Sequence, residues 1–287
     1  MITGYISLTK PRIIILLLVT ALGGLFLASA GLPDPSITMA VLVGGSLAAG
    51  GANAINHFLD RDIDEKMRRT RNRPIVSGII RPQFALSFGI LLNIIAFSIL
   101  VQWANILSAL LTLFATLFYV FVYTMGLKRS TSQNIVIGGA AGAIPPMVGW
   151  AAITGNIMDT TPLFLFTLIF LWTPPHFWAL SLILKDDYAE AGIPMMPVTS
   201  GVAATKRQIF IYTWLLLALL PSAYFLTDSF SEIFWVPAFL LTTVFIFFAW
   251  RLLKSQGIES AKPTYIFSLA YLGLMFIASM VDSGVNI

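Results

Sequence analysis

The sequence predicts an all-α membrane protein with nine transmembrane helices, the N-terminus in the cytoplasm and the C-terminus outside. Three observations carry that expectation. Of 287 residues, 57% are hydrophobic and 10% charged, and the mean hydropathy is +0.86, a composition that belongs in a bilayer. Nine apolar runs are long enough to cross it, at about 13–31, 37–57, 85–102, 105–124, 133–154, 163–183, 208–226, 233–250 and 265–281. On that count all 17 lysines and arginines fall on one side, and the outer segments hold only Asp34, Asp159, Asp228, Glu232 and Asp282. A miscounted helix would have scattered positive charge across both faces.

The start of the chain, MITGYISLTKPRII, has neither a signal-peptide cleavage pattern nor an Arg/Ser-rich transit segment, so a prokaryotic plasma (inner) membrane is the expected location. The third and fourth runs are separated only near residues 103–105 and read as a hairpin. The fifth and sixth runs carry Pro145-Pro146 and Pro174-Pro175, which predict breaks at membrane depth, together with Gly138, Gly139, Gly142 and Gly149. Those glycines suit either close helix packing or irregular backbone beside a cavity. The outer loops are short and no soluble domain interrupts the chain, so residues 1–287 form a single domain. The excess of 17 bases over 13 acids is small. It reads as membrane orientation, with the lipid bilayer as partner and no nucleic acid. The absence of cysteine excludes disulfides, thiol catalysis and thiolate-held metals.

The charged residues gather where the second run ends, between Gly51 and Gly78. Asn56, Asp60 and Asp64 stand at i, i+4 and i+8, which on a continuous helix spreads them over roughly 80° of one face; Asp62 points elsewhere. Carboxylates one turn apart repel unless a cation lies between them, and hard oxygen ligands suit Mg2+. Lys66, Arg68, Arg69, Arg71 and Arg73 follow at once. A basic cluster beside a carboxylate-held Mg2+ is what a diphosphate needs. Solvated juxtamembrane charges would account for the bases but not for the Asn/Asp register.

A second acidic loop echoes the first. A shift of 123 residues superposes Pro74-Ile75-Val76-Ser77-Gly78 on Pro197-Val198-Thr199-Ser200-Gly201 and Asp64 on Asp187, which suggests a parallel repeat. In that register Lys185 matches Asp62, Ile183 matches Asp60 and His176 matches Asn53. His176 follows Pro174-Pro175 in an apolar run and is either a core histidine or a functional group; His57 lies off the Asn/Asp face and reads as structural. Tyr119 and Tyr123, with Lys128 and Arg129 beyond them, serve either as interfacial anchors and orientation charges or as groups closing over a phosphate between the two acidic loops. Asn134 is a helix cap or a pocket-facing polar group. The whole describes acidic and basic clusters on one side of a bundle wide enough for a lipid-like chain, whose walls would keep water from a reactive cation. A transporter would place its acids nearer the midplane.

At this point the residues resemble a family. Asn56-x-x-x-Asp60-x-x-x-Asp64, followed by Lys66, Arg69 and Arg73-Pro74, is similar to the first Asp-rich motif of the UbiA superfamily of intramembrane prenyltransferases. Within it, LTKPR (8–12), DRDIDEKMRRTRNRP (60–74) and the stretches 123–152 and 173–197 resemble the heme-prenylating members. The resemblance implies a nine-helix bundle with its active site toward the cytoplasm, and transfer of a farnesyl group from farnesyl diphosphate to a vinyl group of heme B. It implies Mg2+ held by Asn56, Asp60, Asp64 and Asp187. It further implies diphosphate contacts from Lys66, Arg69, Arg73, Tyr123, Lys128, Arg129 and Lys185, and heme oriented by His176, with its propionates near Lys10 or Arg12. A heme-a synthase is a candidate partner. The second motif departs from the usual Asp-x-x-x-Asp: Ile183 occupies its first position, so Asp187 stands with Asp186 or Glu190. A sister enzyme with a quinone-precursor or chlorophyll-type acceptor would share the diphosphate site.

Overall fold

The computed structural model describes residues 2–285, and among these every regular element is helical. A short helix α1 (Ile2–Thr9) meets α2 (Pro11–Ser29) at Lys10, whose backbone is left-handed with φ 53°. Helix α3 (Pro35–Leu59) starts where Asp34 accepts from the backbone N–H of Ser36 and Ile37 at 2.8 and 3.2 Å, with Pro35 at the first position. The first acidic loop holds α4 (Arg61–Lys66) and then turns to α5 (Pro82–Trp103). The expected hairpin follows: Asn105 caps α6 (Ile106–Leu117) by accepting from Ser108 N–H at 2.9 Å. Without a break α6 widens into a π-helix, Phe118–Leu127.

Helices α7 (Asn134–Ala143) and α8 (Pro145–Thr154) meet at Ile144, where the missing N–H groups of Pro145 and Pro146 interrupt the ladder as the sequence predicts. The second proline pair behaves differently. Helix α9 (Thr160–Ile183) runs straight through Pro174-Pro175. Both prolines are buried against neighbouring helices, and just before them the Thr173 hydroxyl donates to Ile169 O at 2.8 Å. Such packing preserves a helix that has lost two N–H donors.

The second acidic loop holds α10 (Lys185–Glu190) and α11 (Met196–Thr199) before α12 (Gly201–Tyr224), α13 (Glu232–Lys254) and α14 (Ala261–Val285). Eight helical rods are long and apolar enough to cross a membrane by length and composition. The ninth long helix of the expected count, α12, is not among them: it ends at Tyr224, so any 18-residue stretch of it takes in Arg207 and Gln208. It nonetheless packs between α9 and α13.

The paired loop ends of the 123-residue shift share one backbone state. Gly78 and Gly201 both have left-handed backbone, φ 74° and 82°, which only glycine adopts without strain. One core joins α9, α12, α13 and α14 around Trp172, Phe234, Phe245 and Tyr271; another joins α2, α3, α5 and α8 around Leu25, Val41, Leu100 and Ile144. Helix α8 lies close on α2: a Cβ at Gly149 would strike the Ala21 backbone, and one at Gly24 the Pro146 backbone. Gly138 and Gly139 likewise face Tyr123 and Thr173, so packing accounts for three of the four glycines singled out in the sequence; Gly142 has open space. A third cluster lies beneath the acidic loops, where Ile63 and Met67 pack with Ile135, Tyr188, Ile193 and Met195. It fixes both loops over the same end of the bundle.

Candidate active site

The site is built on the end of α3. Asn56, Asp60 and Asp64 are 3%, 0% and 2% exposed. Solvated charges they are not, and a buried carboxylate must be paired. Lys128 Nζ reaches Asp60 Oδ2 at 2.5 Å, and Arg73 Nη1 holds both oxygens of Asp64 at 2.7 and 2.6 Å. Asn56 Nδ2 donates to Asp60 Oδ2 at 2.7 Å, while its Oδ1 accepts from Lys10 Nζ at 2.9 Å. Lys10 therefore belongs to this cluster. Burial, and then the nearby Arg73 and Lys128, push its ammonium down to about 7.

The continuous register expected of the three acids is not kept. Asp60 stands between the two helices, capping the end of α3 and the start of α4, with φ −91° and ψ 7°. The chain kinks there, so Asn56 and Asp60 stay together while Asp64 turns to Arg73. Asp62 points outward as the register predicts; its side chain is 58% exposed and pairs with Arg129 at 2.7 Å. That hydrogen bond holds the Asp62 carboxyl below the usual carboxylate range. Arg129 also lies 3.8 Å from Asp60.

The second loop meets the first through Arg68, 3.9 Å from Asp187. Lys66 and Arg69 are exposed and Lys185 is half-buried; none of the three is paired with an acid in the observed contacts. Tyr123 stacks on Tyr119 with ring centroids 5.6 Å apart, in space that Gly138 leaves open.

His176 is elsewhere. It lies between Trp172 and Tyr265, with ring centroids 4.3 and 5.0 Å away, and its Nδ1 is 2.7 Å from Ser268 Oγ. The Ser268 hydroxyl donates to Tyr265 O at 2.6 Å. With that proton so placed, the tautomer that fits has His176 Nδ1–H donating to Ser268 Oγ and the lone pair on Nε2. His57 is buried with neither ring nitrogen hydrogen-bonded, although the sequence reads it as an ordinary structural residue. Asn134 opens α7 and donates to Thr131 O at 2.7 Å, and its buried Oδ1 has no partner.

The donor set suits Mg2+ in one specific way. Asp60 Oδ1 is buried without a hydrogen bond, and the remaining donors are hard oxygens. No group of three or more His, Asp or Glu that could cage a metal occurs among the described residues. Mg2+ does not need one, since it commonly sits on one or two carboxylates and completes its shell with water and substrate phosphates.

A sequence profile described as the UbiA prenyltransferase family matches residues 17–280. The chain belongs to that family. It is 46% identical over 283 residues to the protoheme IX farnesyltransferase of Nostoc sp., covering 98% of this chain and 89% of the relative. To the protein of the same description from Picosynechococcus sp. it is 48% identical over 286 residues, with the same coverage. Among solved structures it superposes with TM-score 0.75 on a UbiA homolog from Archaeoglobus fulgidus bound to GPP and Mg2+, at 16% identity over 97% of this chain and 99% of that one. A structure described as digeranylgeranylglyceryl phosphate synthase gives TM-score 0.80 at 20% identity, with 99% of both chains covered. These confirm the expected fold, an all-helical multi-span bundle of the UbiA kind.

Three residues of this cluster carry little mark in the sequence. Lys10 lies far along the chain from the acids it joins, Arg68 is one base in a basic run, and Thr124 sits in an apolar stretch. Thr124 carried a signal all the same: it precedes Lys128 by four residues, as Asn56 precedes Asp60.

Proposed function

We propose that the chain transfers the farnesyl group of farnesyl diphosphate to a vinyl group of heme B, with addition of water, giving heme O at the cytoplasmic side of the plasma membrane. One observation carries the chemistry: a fully buried carboxylate, Asp60, keeps one oxygen without a hydrogen bond, 3.8 Å from Arg129 and in a cluster with Lys10 and Lys128. The choice of acceptor rests on the likeness to protoheme IX farnesyltransferases.

Asn56 Oδ1 and Asp60 Oδ1 would hold Mg2+, with Asp64 joining if diphosphate draws Arg73 away from it and Asp187 serving from the second loop. Bound there, the ion would supply positive charge against the diphosphate. Lys10, Arg73 and Lys128 neutralise the leaving group as its charge develops, and Lys66, Arg69 and Lys185 close over it from the two loops, with Arg129 from the end of the π-helix. The stacked Tyr119 and Tyr123 present aromatic faces, which stabilise a nearby allylic cation, and the surrounding helices keep water out. No protein nucleophile is required, because the vinyl carbon attacks that cation. His176, with its lone pair on Nε2, is disposed to orient heme as an iron ligand or beside the vinyl group. A heme-a synthase is the partner such a product calls for.

The test uses membranes containing the protein, labelled farnesyl diphosphate and heme B. Label should enter the heme fraction with Mg2+, stop on chelation and resume when Mg2+ is restored. Incorporation that ignores chelation would sink the metal-dependent reading.

A further inference from the structure

We infer that Thr124 is a positioning residue that fixes the amide of Asn56, so that Asn56 offers oxygen rather than nitrogen to the metal–diphosphate site. The inference rests on the prenyl-transfer reading above.

Thr124 is buried in the π-helix that precedes Lys128. Its Oγ1 donates to Tyr119 O, five residues back, at 2.9 Å. A hydroxyl has one proton, so toward Asn56 the oxygen can only accept. Asn56 Nδ2 fills that place at 3.2 Å. The same nitrogen donates to Asp60 Oδ2, another pure acceptor. Two acceptors on one side leave the amide a single satisfactory orientation, with Oδ1 turned to Lys10. The flipped amide would set oxygen against a carboxylate and a hydroxyl lone pair, and its NH2 against an ammonium. Amide orientation is normally assigned from such a network, and here every partner agrees.

The π-helix makes this possible. Its wide turns bring Thr124 and Lys128 onto α3 as two rungs, Thr124 on Asn56 and Lys128 on Asp60. Runs of π-helix are rare and concentrate at functional sites. The consequence is chemical: Mg2+ takes a carbonyl oxygen and refuses an amide nitrogen. Because Asn56 Nδ2 and Lys128 both occupy Asp60 Oδ2, the other oxygen of Asp60 has no hydrogen bond and faces only Arg129, at 3.8 Å.

The experiment measures binding of the unreactive analogue farnesyl thiodiphosphate to purified protein in nanodiscs while Mg2+ is titrated. Thr124→Val keeps the shape and removes the acceptor. It should raise the Mg2+ needed for half-maximal binding by about 10-fold or more, the usual effect of removing a partner that orients a metal ligand. Thr124→Ser should restore the wild-type requirement. In an Asn56→Asp background the two oxygens are equivalent and orientation no longer matters, so Thr124→Val should add almost nothing. An unchanged Mg2+ requirement in Thr124→Val, or an equal shift in the Asn56→Asp background, would overturn the inference and leave Thr124 a packing residue. Absence of Mg2+-dependent binding in the wild type would instead overturn the prenyl-transfer reading itself.

Discussion

Asp60→Ala is expected to lower farnesyl transfer by about 10³-fold or more while the protein remains folded in the membrane. Removing preorganised charge stabilisation from a buried site costs on this order, and Asp60 both pairs with Lys128 and holds the oxygen that has no hydrogen bond. Asp60→Asn separates charge from shape. It keeps the contact with Lys128 but loses the anion, and should be nearly as inactive in single-turnover assays with purified enzyme. Asp64→Ala should also be severe, because it frees Arg73 in a buried place. Asp62→Ala should stay within a few-fold of wild type, since its pair with Arg129 is exposed and such pairs contribute little. Equal losses at all three positions would contradict the geometry of the α3 end.

His176→Ala is expected to spare Mg2+-dependent binding of farnesyl diphosphate and to remove heme O formation by at least about 10²-fold, the cost of an acceptor misplaced by about 1 Å. The separation follows from placement. His176 is held by Trp172, Tyr265 and Ser268 on α9 and α14, and none of its observed partners is an acid or a cation. Retained farnesyl diphosphate binding also shows that the variant folds. Full heme O synthesis by His176→Ala would make the residue a core histidine and move the heme elsewhere.

Hydropathy and charge segregation made the bundle legible, because lipid forces every span to close its own backbone hydrogen bonds. Where pattern and structure part, the reasons are local. The seven residues that open α12, Lys206 and Arg207 among them, lie outside the apolar run, so hydropathy does not mark where that helix starts. Pro174-Pro175 looked like a break, yet tertiary burial keeps α9 whole. Asn56 and Asp60 were legible from spacing alone, but the kink at Asp60 that sends Asp64 to Arg73 was not, since acids continue the helical pattern through it. Lys10 could not be found from sequence at all: its place depends on a left-handed turn that brings the start of the chain against a residue 46 positions away. Thr124 depended on a π-helix, a state for which side-chain periodicity gives no template.

The most direct test of the account is the pigment made by cells. Heme extracted from cells that express the protein, and otherwise lack such an activity, is weighed by mass spectrometry beside extracts from cells expressing Asp60→Asn. The expected product is a heme heavier than heme B by one farnesyl group and one hydroxyl, the other proton of the added water being released, present with the wild type and missing with the variant. Unmodified heme B in both, or farnesyl found on a quinone precursor instead, would contradict it.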